Sequence, residues 1–137
     1  MTVRASDATA ADWMRYAEGD LAAAQSLRRF DGPSPRHAGW LAEQAVEKAL
    51  RAALVASGTT PPGTHDLDEL RSLLPPGWAV SERFPDLSRL SGWFVLAVYP
   101  GEWAVVTDPG AAEMVELGAA VVACVRDDIA AHRTDVL

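Results

Sequence analysis

Cysteine is all but missing from this chain. Cys124 is the single one in 137 residues, so the chain cannot build an internal disulfide framework or a thiolate metal site. It sits in "AAVVACVRD", where a helix would bury it, and reads as a core residue rather than a reactive thiol. Long apolar runs are missing too. None approaches the roughly 20 residues that cross a bilayer. The opening "MTVRASDATA" has no signal-peptide apolar core, which leads to the expectation of a cytoplasmic protein with no membrane contact. Basic residues are in deficit, 12 Lys and Arg against 19 Asp and Glu, for a formal charge of −7. Binding along a nucleic-acid duplex relies on many cations against phosphates, so this balance argues against it and leaves room for a small local nucleotide or RNA site. The chain also lacks a glycine-rich phosphate loop and a nucleophile elbow. Its three histidines show no metal-type spacing with carboxylates, so no metal and no cofactor are expected.

What is present reads as one helical domain over residues 1–137, large enough to bury about two-thirds of its unfolded surface. Ser6 or Thr9 can cap a first helix along which Trp13, Ala17, Leu21, Ala24 and Leu27 recur at steps of three or four. "FDGPSP" stops it. A second helix, His37 to Ser57, is apolar on two sides, through Leu41, Ala45, Ala49 and Ala52 and through Val46, Leu50 and Leu54, as befits a central helix. Gly58 ends it. Asp66 with Glu69 suggests the cap of a short third helix. A fourth spans Ser81 to Ala97, with Pro85 in its first turn and Leu87, Leu90, Phe94 and Ala97 on one stripe. Asp108 and Pro109 open a fifth, whose seam is Val115, Gly118, Val122, Val125 and Ile129. The resulting fold class is all-α, an antiparallel up-and-down bundle of four long helices plus one short one. The second and fifth helices carry more apolar surface than one protomer needs, which points to a homodimer.

Polar residues interrupt the second helix in "AEQAVEKALRAAL". Gln44, Glu47, Lys48 and Arg51 follow at helical spacing and form a stripe that is either a solvated face or the lining of a cleft or partner surface. His65, in "GTHDL", either packs and hydrogen-bonds its loop or serves as a base. His37 and His132 lie near helix ends and read as exposed. Trp13 and Trp40 fall near helical seams, whereas Trp78 and Trp103 sit in loops, where they either mark interfaces or cover the ends of the bundle.

Taken in order, "DWMRYAEGDLAAAQSL", "AGWLAEQAVEKALRAALVASG", "THDLDEL", "YPGEW" and the Ala- and Val-rich last helix resemble a HEPN domain, the higher eukaryote and prokaryote nucleotide-binding family. The resemblance covers nearly the whole chain. It implies a helical bundle paired as a homodimer, often working beside a minimal nucleotidyltransferase in toxin and antitoxin or defence systems. Many such proteins are metal-independent ribonucleases that use an arginine and, after a short spacer, a histidine. In the branch this chain resembles, the loop after the fourth helix reads Arg-Tyr-Pro. Here it is Val98-Tyr99-Pro100, which lacks the fixed charge and planar fork that arginine offers a phosphate. Arg126 and His132 match the pattern literally, but they lie in the last helix, and six helical steps turn the second side chain about 240° from the first. The resemblance therefore implies a degenerate, non-catalytic member binding a nucleotide or partner through Gln44, Glu47, Lys48, Arg51 and Tyr99. The alternative is a ribonuclease with a diverged site, its base His65 and its cation Arg51 or Arg83.

Overall fold

The computed structural model describes residues 8–29, 35–101 and 107–135. Ser6, Trp103 and most of "FDGPSP" lie outside the described residues. Among the described residues six helices follow in order: α1 (Ala10–Arg29), α2 (Pro35–Ala56), α3 (Leu67–Ser72), α4 (Ala79–Arg83), α5 (Ser88–Val98) and α6 (Asp108–Asp135). The architecture is an all-α bundle, with no strand among the described residues.

Local chemistry sets most of the boundaries. At the start of α1 the Thr9 hydroxyl accepts from the Asp12 amide (3.1 Å) and the Asp12 carboxylate accepts from the Thr9 amide (3.0 Å), a reciprocal cap. Proline at the first position of α2 suits a site whose amide has no helical partner. At its other end Gly58 adopts φ 85°, a left-handed conformation that a side chain resists. The amides of Gly58 and Thr59 then bond back to the carbonyls of Val55 (3.0 Å) and Leu54 (2.8 Å), closing a Schellman turn. The Asp66 carboxylate caps α3 by accepting from the amides of Asp68 and Glu69. Glu69 does not return the bond to Asp66; its carboxylate accepts from the Thr64 hydroxyl.

The expected helix from Ser81 to Ala97 is instead two helices, α4 and α5. Pro85 has no amide to donate and disfavours helical backbone at Phe84, which sits at φ −128°, ψ 70°. The corner is then held from outside. The Leu87 amide donates to the Asp68 carboxylate (2.8 Å), and Arg71, ion-paired with Asp68, donates to the Phe84 carbonyl (3.0 Å).

Helix α2 is the axis of the molecule, packed by α1 on one flank, α6 behind and α5 on the other flank. Leu50, Leu54, Leu67, Leu70, Leu87, Leu90, Met114, Val121 and Val122 fill the interior. At Gly39 the indole of Trp93 lies so close that a Cβ would fall 2.2 Å from a ring carbon, so glycine there lets α5 approach α2. Trp78 is buried and stacks on His132, centroids 4.1 Å apart, so it covers one end of the bundle. Cys124 is buried as well, and burial pushes its thiol up from the usual range.

Candidate functional site

Helices α1 and α5 both pack on α2 but not substantially on each other among the described residues, so neither closes the side of α2 between them by a helix–helix contact. Trp40, Gln44, Glu47 and Arg51 recur along that side at steps of three and four. The exposed large apolar groups among the described residues are Tyr16 on α1 at 59 %, Leu73 after α3 at 43 %, Val95 on α5 at 40 % and Tyr99 just after α5 at 56 %.

The expectation of an accessible polar stripe is corrected at two positions. Glu47 and Arg51 are buried and spent within the chain. Arg51 Nε donates to Glu47 Oε2 (3.3 Å), while its two terminal nitrogens donate to the carbonyls of Pro62 and Thr64 (2.7 Å each). Its guanidinium also lies 5.8 Å from the centre of the Trp13 ring. Arginine here is a clamp that fastens the 62–64 loop to α2, because a planar fork satisfies a carboxylate and two carbonyls at once. Lys48 turns instead toward α1, where it pairs with Asp20.

His65 stands where the clamped loop meets this side. Its Nδ1 lies 2.9 Å from Glu47 Oε1, and its ring stacks on Phe94 with centroids 4.5 Å apart. A carboxylate on Nδ1 fixes the tautomer and leaves Nε2 as the basic nitrogen, the arrangement of an oriented general base. The structure therefore joins His65, Glu47 and Arg51 into one network. It does not bring Tyr99 to it: Arg36, in the first turn of α2, donates to the Ala97 carbonyl (2.7 Å) beside Tyr99, about 20 Å along the helix from Arg51. Arg83, the other candidate cation, lies on α4 with its guanidinium over Phe84.

The literal Arg126 and His132 match comes apart. Arg126 pairs with Glu18 on α1 (3.0 Å), and His132 donates from Nδ1 to the Asp128 carbonyl (2.8 Å) while stacking on Trp78. Neither His132 nor His37 is exposed as expected; both are half-buried.

Two acidic groups escaped the sequence reading. Glu43 is fully buried, its Oε2 accepting from Gln44 (2.8 Å) and its Oε1 without a partner. Burial pushes its carboxyl up to about 8, with Glu47 adding to the rise and the Gln44 hydrogen bond and Lys48 opposing it. Asp128 is buried and accepts from the amides of Ala79 and Val80 (3.0 Å each), capping α4 from a distant helix. Each has a signal in the sequence, since Glu43 shares a helical stripe with Val46 and Leu50, and Asp128 with Val121 and Val125. Among the described residues, no group of three or more His, Cys, Asp or Glu side chains could hold a metal ion. No helix among them is long and apolar enough to cross a membrane.

A family model, the HEPN domain, matches residues 10–128. The fold is similar to the crystal structure of TT1696 from Thermus thermophilus, 24% identical, with a TM-score of 0.74 over 87% of this chain and 97% of that one. It is also similar to ST0689, described as an archaeal HEPN homologue, 22% identical, with a TM-score of 0.65 over 89% of this chain and 98% of that one. No curated protein matches. At such identities the likeness to the two structures is one of fold.

Proposed function

Because the chain belongs to the HEPN domain family, we propose that it is a non-catalytic member, a homodimeric module that binds a nucleotide or a protein partner in the cytoplasm. The observation that carries this reading is the state of Arg51. Metal-free RNA cleavage needs a base for the 2′-hydroxyl and a cation for the charge that develops on phosphorus. The base position has a candidate in His65. The cation beside it is buried and bonded to Glu47 and two carbonyls, so meeting a phosphate would require breaking the clamp. The sequence Val98-Tyr99-Pro100 brings no replacement.

The binding face in this proposal is the side of α2 between α1 and α5, with Gln44, His65 and Tyr99 as contacts, Lys48 at its α1 edge held by Asp20, and Glu47 and Arg51 as the scaffold beneath. A small nucleotidyltransferase, in a toxin and antitoxin or defence pair, is the partner the family membership favours. Tyr99→Ala, at an exposed position, should weaken co-purification with such a partner while leaving the melting temperature within about a degree or two.

The His65–Glu47 pair favours one second reading, a metal-independent ribonuclease. Incubation with a mixed RNA pool in chelator separates the two. We expect no cyclic-phosphate ends above those formed with His65→Ala. Efficient cleavage that His65→Ala abolishes would establish the enzyme instead.

A further inference from the structure

The start of α1 and the end of α6 border a half-open hollow of about 590 Å³. Its floor is aliphatic, made by Met14, Ile129 and alanines of α1, α2 and α6. Three arginines, Arg15, Arg126 and Arg133, line it together with a single acid, Glu18. With Asp12 paired to Arg15 and Glu18 to Arg126, the arginines still outnumber the acids beside the hollow by one among the described residues, in a chain of net charge −7.

We propose that this cavity is a docking site for an acidic peptide segment of a partner protein, one that seats an aliphatic side chain on the floor and its carboxylates on the arginines. The volume falls within the range of about 300–1,000 Å³ usual for binding pockets, enough for an anchoring side chain and its neighbours. Methionine and isoleucine accept an aliphatic anchor of variable shape. Guanidinium groups match carboxylates in two-pronged geometry. Their present partners are easily exchanged: Arg126 with Glu18 (3.0 Å) and Arg15 with Asp12 (3.5 Å) are pairs between half-exposed or more exposed side chains, which contribute little in water. The lining also discriminates between anions. Among the described residues no aromatic side chain borders the cavity, and single-stranded nucleic acid relies on stacking of its bases on such groups.

The test uses the full chain and two fluorescent probes of equal charge, a peptide of repeated Glu-Glu-Leu and an oligouridylate. Anisotropy should show the peptide binding at low salt and weakening as salt rises. Arg133→Glu should weaken it about fivefold and Arg126→Ala combined with Arg133→Glu more than about tenfold. Circular dichroism confirms that each variant is folded. Tyr99→Ala should leave peptide binding unchanged, which separates this site from the side of α2 between α1 and α5. Absence of peptide binding, or equal binding to the folded double variant, would overturn the proposal. Tighter binding of the oligouridylate, in competition with the peptide, would overturn it as well and assign the arginines to phosphate.

Discussion

Removing the Glu47 carboxylate would leave the Arg51 guanidinium buried with two carbonyls and the Trp13 ring but no counter-charge among the described residues, and would take the acceptor from His65. Such a loss typically costs about 3–5 kcal/mol. Glu47→Ala should therefore lower the melting temperature markedly, and a calorimetric scan showing it unchanged would refute the clamp. Glu43 makes a prediction of opposite sign. Its folded pKa of about 8 lies above the value of 4.5 for a free carboxyl. From pH 4.5 to 8 the folded chain holds a proton that the unfolded chain has released, so stability falls as pH rises through this window and levels off above it. Glu43→Gln keeps the shape and removes the titration. It should flatten the pH dependence and stabilise the protein above about pH 8 by an amount on the order of a few kcal/mol, measured by urea unfolding across pH.

At the scale of elements, the arrangement depends on contacts that reach across the chain. Helix α4 has only five residues, and its first residues draw their cap from Asp128 of α6. Asp128→Ala would leave the buried Val80 amide unsatisfied, which should cost about 1–3 kcal/mol and raise amide exchange in 79–83 before the rest of the molecule. Packing of α5 on α2 depends on Gly39. Since a Cβ there would overlap the Trp93 ring, Gly39→Ala must displace the indole and should destabilise by about 1–3 kcal/mol, with the change visible in tryptophan fluorescence. The corresponding change at Gly19, where a Cβ meets nothing within 4 Å, serves as the control.

For the whole molecule, the side of α2 between α1 and α5 is the feature that calls for a cover. Tyr16 and Val95 are exposed on the two helices that border it, Tyr99 is exposed just after α5, and the indole nitrogens of Trp13 and Trp40 are buried without partners among the described residues. A second copy laid on this side would remove exposed apolar groups from water, which is the physical basis for expecting a homodimer. Light scattering at micromolar concentration should give twice the chain mass. Replacing Tyr16 with glutamate should shift the protein toward monomer, and a wild-type protein that already scatters as a monomer would rule the dimer out.

The sequence by itself determined the helices, because their signals are local. Apolar spacing of three and four marks α1, α2 and α6, and Thr9, Asp66 and Gly58 carry their cap or stop chemistry within a few residues. The ordered segments that resemble the family also reached the fold. Only the tertiary structure decided which polar residues are sites and which are structure. Helical spacing assigns Glu47 and Arg51 to a face but does not say what covers that face, and here the 62–64 loop folds back over it. At Pro85 the break itself is local chemistry, but the corner it makes is held by Asp68 and Arg71 of α3, which the sequence does not bring there. Glu43 and Asp128 were hidden for a related reason. An acid on an apolar stripe reads as an interruption until its depth is known, and depth depends on how α1, α5 and α6 close around α2.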